Sequence, residues 1–121
     1  MMSRVFVYGT LRQGFGNHRL LEGATFIGPA TTAAEFTMLH LGAYPGLIHD
    51  GTTQIVGEVY EVDADQLRHL DRLEGHPDFY HRIPARLADP ALEVELYVLP
   101  PTYREHYRVV ASGDWTRRAE E

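Results

Sequence analysis

Glu74 stands where a helix would normally be apolar. With Leu67 as the origin and about 100° per residue, Leu70 falls at about 300°, Leu73 at about 240° and Glu74 at about 340°. Arg68, His69 and Arg72, at roughly 100°, 200° and 140°, already supply a solvent face, so Glu74 points inward. Its place in the last helical turn, at the negative end of the macrodipole, disfavours a further negative charge by about 0.3–1 kcal/mol. Burial and dipole push its pKa the same way, upward. A carboxylate that costs stability twice is either paired inside the fold or kept for chemistry. The plainer reading is a terminal residue that bends out to water at Gly75, or a buried glutamate satisfied by an arginine or a tyrosine hydroxyl.

A second constellation is Tyr8-Gly9-Thr10-Leu11, where an apolar strand ends in a glycine. Glycine permits a positive φ, and past the end of the ladder successive backbone N–H groups are left unpaired. Such groups bind a carboxylate or an oxyanion, although a strand-end Gly-Thr is more often a simple turn.

The residue inventory removes other chemistries. All 11 basic residues are arginine, cysteine is absent, and the serines are Ser3 and Ser112. Without lysine there is neither a Schiff base nor a P-loop, and without cysteine no thiolate nucleophile, disulfide or zinc-thiolate cluster. Neither serine lies in a Gly-x-Ser-x-Gly elbow. The net charge of −6, with no basic cluster, argues against a nucleic-acid partner. No apolar run spans a bilayer and no signal sequence opens the chain, so the expectation is a cytoplasmic protein without membrane contact.

These residues must be positioned by a chain of 121 residues, which predicts one domain over 1–121 with a frayed or disordered polar tail at 116–121. Val5-Phe6-Val7-Tyr8 reads as a central strand covered on both faces. Asn17 reads as the cap of a short helix over 18–22 that stops at Gly23. Two strands are expected between Thr25 and Ile48, then a turn at His49-Asp50-Gly51-Thr52 and a long strand over 55–62. Asp63-Ala64-Asp65-Gln66 has the form of a capping box, so the helix that carries Glu74 runs from about Ala64 to Glu74 and ends at Gly75. Strands follow over 82–87 and 92–99, the latter with Leu92, Val94, Leu96 and Val98 on one face and Tyr97 with Glu93 and Glu95 on the other. A short edge at 107–110 and an end-plug at Asp114-Trp115 complete the chain. Five to seven short strands with two or three short helices suggest an α+β domain whose sheet curls into a small barrel.

Val5-Phe6-Val7-Tyr8-Gly9-Thr10-Leu11-Arg12 followed by Asn17-His18 resembles the opening of the gamma-glutamylcyclotransferase family. Leu70-Asp71-Arg72-Leu73-Glu74-Gly75 with Tyr80 beyond it is similar to that family's second signature, and Tyr44-Pro45-Gly46 and Gly57-Glu58-Val59-Tyr60 also match. The resemblance implies a small mixed β-barrel with flanking helices. It implies that Tyr8, Gly9, Thr10 and Leu11 bind a gamma-glutamyl group and that Glu74 is the acid/base. Its short loops look more like the gamma-glutamylamine cyclotransferase type than the larger type that acts on glutathione. The implied reaction suits the inventory, because the substrate's α-amine is the nucleophile that closes 5-oxoproline, with no cofactor and no metal. Tyr80 and Tyr97 are candidates for lining the side of the pocket that receives the leaving amine, each about as well explained as an ordinary core or surface tyrosine.

Two rival readings accompany this one. His69, Asp71, Glu74, His76, Asp78 and His81 are dense in metal-ligand types and would suit a metal-dependent hydrolase, but their spacing fits no His-Glu-x-x-His template. A non-catalytic small-ligand-binding barrel would use the same aromatics, yet would gain nothing from an inward carboxylate at a helix end. The remaining histidines, His18, His40, His49 and His106, are expected in structural or surface roles. A small-molecule partner is expected, and monomer and homodimer both stay open.

Overall fold

The computed structural model describes residues 2–120, with the side chain of residue 120 left aside. Strands β1 (Met2–Val7), β2 (Thr25–Thr32), β3 (Phe36–His40), β4 (Pro45–Thr53) and β5 (Val56–Asp63) precede the helix α1 (Ala64–Glu74), and β6 (His81–Asp89), β7 (Glu93–Val98) and β8 (Arg108–Val109) follow it. Short 3-10 helices occupy Gly16–Leu21, Pro101–Glu105 and Trp115–Glu120.

Five strands close into a barrel in the order β1-β5-β2-β6-β7, and β4-β3-β8 form a separate sheet. Four neighbouring barrel pairs are antiparallel. In a ring of five strands the fifth pair must then be parallel, and it is: β7 meets β1 with Val5 opposite Glu95. The mixed barrel inferred above is therefore present, with one strand pair of each ring neighbour accounted for and a second small sheet beside it.

β1 is covered on both faces, as its unbroken apolar run requires. Phe6 and Tyr8 join one core cluster with Val59, Leu96 and Trp115, while Val5 and Val7 join another with Leu70, Tyr80 and Tyr97. Trp115, 1% exposed, fills the first cluster from the C-terminal side. Among the described residues no helix is long and apolar enough to cross a membrane.

Helix α1 starts and stops where its local chemistry dictates. The Asp63 carboxylate accepts from Gln66 N at 2.8 Å and Gln66 Oε1 accepts from Asp63 N at 2.9 Å, a complete capping box. Gly75 takes the left-handed conformation at φ 67°, and His76 N donates back to Asp71 O at 2.9 Å. Asp63→Ala removes a cap and is expected to lower stability by about 1 kcal/mol, read as a lower denaturation midpoint; an unchanged midpoint would show the helix held by packing alone.

Two local expectations are corrected and one is refined. Asn17 does not cap its helix: the 3-10 turn begins at Gly16 behind Phe15, and the Asn17 amide is turned to Thr10. Between Thr25 and Ile48 two strands are complete, β2 and β3, and a third, β4, has already begun at Pro45. His49-Asp50-Gly51-Thr52 does not end a strand but bulges within β4, whose pairing with β3 jumps from Thr37 opposite Ile48 to Phe36 opposite Thr53. The bulge is held by Thr37, whose hydroxyl donates to Asp50 O at 2.9 Å.

Candidate active site

The loop after β1 shows where its hydrogen bonds go and where they do not. The carbonyls of Gly9, Thr10 and Leu11 all accept: from Arg12 N at 3.0 Å, from Asn17 N at 3.1 Å and from the His18 ring at 3.0 Å. Among the described residues no acceptor takes the N–H of Gly9, Thr10 or Leu11. The loop thus ties down its oxygens and leaves its hydrogens free, the arrangement that binds negative charge. Asn17 Nδ2 braces it through Thr10 Oγ1 at 2.9 Å, and Arg12 anchors it from behind to Asp114 at 3.0 Å and Glu58 at 3.7 Å.

Gly9 is required for a different reason from the one its position suggests. Its φ is not positive; a Cβ there would lie 2.7 Å from Cγ and Cδ of Pro45, so the loop and the start of β4 approach too closely for a side chain. Pro45 O also accepts the Tyr80 hydroxyl at 2.6 Å, so a displaced proline would disturb Tyr80 as well. Gly9→Ala is expected to leave the barrel folded and to cost up to about 10²-fold in kcat/KM, by misplacing the loop; circular dichroism beside initial rates checks both halves.

Opposite this loop, the chain doubles back at the end of α1. Phe79 N donates to Gly75 O at 2.8 Å and Tyr80 N to Glu74 O at 3.1 Å, which folds Tyr80 against the last helical turn. A cavity of about 220 Å³ lies between, lined by residues 8–11 on one side and by Glu74, Tyr80 and Tyr97 on others. Every residue expected at the site, Glu74, Tyr8, Gly9, Thr10, Leu11, Tyr80 and Tyr97, borders this one cavity.

The Glu74 side chain is partly buried at the cavity wall, and no hydrogen bond or ion pair to its carboxylate is found among the described residues. Burial alone pushes its pKa from 4.5 up to about 7. The bend out into water and the arginine partner considered above are both absent: the nearest ion pair on the helix belongs to Asp71, which binds Arg82 at 2.8 Å. Leu73, the third leucine of the apolar stripe, is 43% exposed and sits at the cavity rim.

Tyr97 was placed with Glu93 and Glu95 on a polar face, yet it is only 3% exposed, because α1 covers that face and Asp71 accepts the phenol proton at 2.6 Å. Asn17, Tyr44, Pro45 and Phe79 also line the cavity. Asp71 is a site neighbour that the sequence reading leaves to the metal alternative, although at about 40° on the helical wheel it lies within about 40° of Leu67, on the same side as Glu74 at about 340°. Of the dense His/Asp/Glu stretch, the rings of His76 and His81 meet at 5.4 Å, tilted by 46°, while His69 is on the exposed face of α1. Among the described residues no group of three such side chains converges as metal ligands would.

A closed mixed barrel that sets a desolvated carboxylate across a cavity from a row of free amides has the groups that acid/base work on a small acyl substrate requires, with no side-chain nucleophile among them. The comparisons give the family. Residues 5–117 match the family described as Gamma-glutamyl cyclotransferase, AIG2-like, and the chain belongs to that family. It is 41% identical over 118 residues to a protein of Vibrio cholerae serotype O1, covering 98% of this chain and 99% of that one. The gamma-glutamylaminecyclotransferase of Rattus norvegicus is 41% identical over 90 residues, 67% of this chain and 60% of the relative. The crystal structure of an AIG2-like protein from Mus musculus superposes with a TM-score of 0.74 at 30% identity, covering 80% of this chain and 76% of that one.

Proposed function

We propose that this protein cyclises small gamma-glutamyl amides, releasing 5-oxoproline and a free amine, with Glu74 as the acid/base. The observation that carries the assignment of roles is the unpaired, buried carboxylate of Glu74 across one cavity from the free N–H groups of Gly9, Thr10 and Leu11. The N–H groups take the negative charges, the substrate α-carboxylate and the oxyanion that forms on the gamma carbonyl. Glu74 removes a proton from the α-ammonium. The freed amine nitrogen attacks the gamma carbonyl carbon, and the new C–N bond closes the five-membered ring. As the tetrahedral centre collapses, the old C–N bond breaks and Glu74 returns its proton to the departing nitrogen; the second proton, still on the ring nitrogen, then passes through the Glu74 carboxylate to the same amine, which leaves as an ammonium and frees 5-oxoproline as a neutral lactam. No proton is gained or lost over the cycle.

Tyr80 and Tyr97, with Tyr8, wall the chamber on its buried sides, consistent with the burial that raises the pKa of Glu74. A base with a pKa of about 7 gives kcat/KM that falls on the acid side with a midpoint near pH 7. A midpoint near 4.5 would mean that the group used is an ordinary exposed carboxylate.

The rim formed by Tyr44, Leu73 and Phe79 is apolar or aromatic, and among the described residues no arginine lines the cavity. A leaving group with its own carboxylate would find no cation there, which favours gamma-glutamyl amines over gamma-glutamyl amino acids, in line with the name of the rat relative. The test is a panel of gamma-glutamyl amides and peptides assayed for 5-oxoproline. Release from the amines is expected to exceed release from the amino-acid conjugates, and equal or reversed rates would refute the choice of leaving group.

A further inference from the structure

Four phenols line the cavity with Glu74: Tyr44 stands exposed at the rim, and three are buried, Tyr8 from the end of β1, Tyr80 from the turn before β6 and Tyr97 from β7. Burial raises the pKa of each of these three, and the Glu74 charge raises each further. Each hydroxyl is engaged with an acceptor that has no proton to give. Tyr8 donates to Tyr97 O at 2.7 Å, Tyr80 to Pro45 O at 2.6 Å and Tyr97 to Asp71 Oδ1 at 2.6 Å. A phenol has one proton, so all three are committed away from Glu74, and the three oxygens can only accept from anything that enters.

Two of those acceptors are backbone carbonyls; the third, Asp71, is a side chain and so a choice made by the sequence. It lies one turn before Glu74 on α1, and Arg82 grips it from β6 with Nε on Oδ1 at 2.8 Å and Nη2 on Oδ2 at 3.1 Å. Arg82 also pairs with Glu95 on β7. Although burial opposes it, hydrogen bonds from Arg82 and Tyr97 hold Asp71 below the ordinary carboxylate range, so it remains an acceptor wherever Glu74 titrates.

We propose that Asp71 is a positioning residue: clamped by Arg82, it holds the phenol proton of Tyr97 away from Glu74, so that the phenol oxygens meet a substrate ammonium as acceptors. This rests on the cyclisation reading above for the identity of the ammonium, but the clamp itself is a property of the resting protein. Without it, the Tyr97 proton would be free to turn to Glu74, the unpaired carboxylate bordering the same cavity, which would stabilise that carboxylate and weaken it as a base.

The groups that bear on Glu74 come from every side: Tyr8 from β1, Thr10 and Asn17 from the loop after it, Tyr44 from the segment before β4, Tyr80 from the turn before β6, and Tyr97 from β7. On α1 itself Asp71 stands three residues and Arg72 two residues before Glu74, and Arg82, His76 and Glu95 act on Asp71 or its partner. Of the three buried phenols, Tyr97 is the one whose proton a side-chain substitution releases.

The test titrates Glu74 by carboxyl 13C NMR and, in parallel, follows kcat/KM against pH with a gamma-glutamyl alkylamide. In Asp71→Ala the Glu74 midpoint is expected to fall by about one pH unit as Tyr97 turns to it, and KM to rise severalfold. Asp71→Asn keeps an acceptor oxygen for Tyr97 and is expected to restore the native midpoint. Tyr97→Phe, which does not depend on Asp71→Ala folding, should raise KM severalfold and leave the midpoint in place, and Asp71→Ala with Tyr97→Phe should match it. A midpoint that rises in Tyr97→Phe would place the phenol proton on Glu74 in the native protein and overturn the clamp. A fall that persists in the double variant would assign the effect to the Asp71 charge and overturn it equally. A wild-type protein that releases no 5-oxoproline refutes the cyclisation, while the NMR midpoints still judge the clamp.

Discussion

Glu74→Gln is expected to lower kcat by about 10²–10⁴-fold, the range that a positioned acid/base contributes, while KM changes little. Glutamine keeps the shape of the side chain at the cavity wall but neither takes the proton of the α-ammonium nor returns it to the departing amine. The free amides of Gly9, Thr10 and Leu11 remain, so a substrate still binds and the oxyanion still finds its donors. Residual turnover well above that of free substrate in buffer is therefore part of the expectation. 5-Oxoproline release at wild-type rates would show that the proton is moved by water or by another group.

The same substitution should make the protein more stable, and only on the alkaline side. Glu74 is pushed from 4.5 to about 7 by burial without a compensating partner, so the folded state prefers the neutral acid. For an acid whose folded pKa is raised, that preference is fully expressed below pH 4.5 and is lost as pH rises through about 7. Above that, the buried charge costs about 3 kcal/mol relative to a neutral side chain of the same shape. Glu74→Gln is thus expected to match wild type at pH 4 and to exceed it by about 3 kcal/mol at pH 8 in denaturant titrations. Equal stabilities at pH 8 would mean that the carboxylate is hydrated. Loss of turnover together with gain of stability separates a group kept for reaction from one kept for packing.

What sequence reasoning could reach follows from the range of each interaction. Helix α1 was readable end to end because its cap, its stripe and its stop are all within a few residues of one another, from Asp63 to Gly75. The inward carboxylate was readable for the same reason, since it needs only the helical period. The paired strands β1, β5 and β7 announce themselves by apolar runs, but their arrangement in a ring does not, because no local feature says that Val5 sits opposite Glu95. Gly9 was assigned to the right place for the wrong cause: its neighbour Pro45 is remote in sequence, so the contact that forbids a side chain is invisible until the chain is folded. Asn17 was read as a cap because caps are local, whereas its partner Thr10 lies across a loop. Asp71 was within reach of the same wheel that exposed Glu74. It was obscured by Arg72 and His69 beside it, which make the segment read as a solvated face.

The parallel seam between β1 and β7 sets a condition on how the protein comes into being. Tyr8 bonds to Tyr97, and Arg12 to Asp114, across nearly the full length of the chain. A growing polypeptide that has left the ribosome as far as the end of β6 owns Glu74 and the amide loop but lacks the β1–β7 pairing and the Tyr97 and Asp114 contacts that close the barrel around them. Contacts this distant in sequence slow the final closure and leave both core clusters that flank the first strand incomplete until Leu96, Tyr97 and Trp115 arrive. Catalytic competence is therefore the last property the nascent chain acquires, and truncation anywhere before Asp114 is expected to abolish it along with solubility.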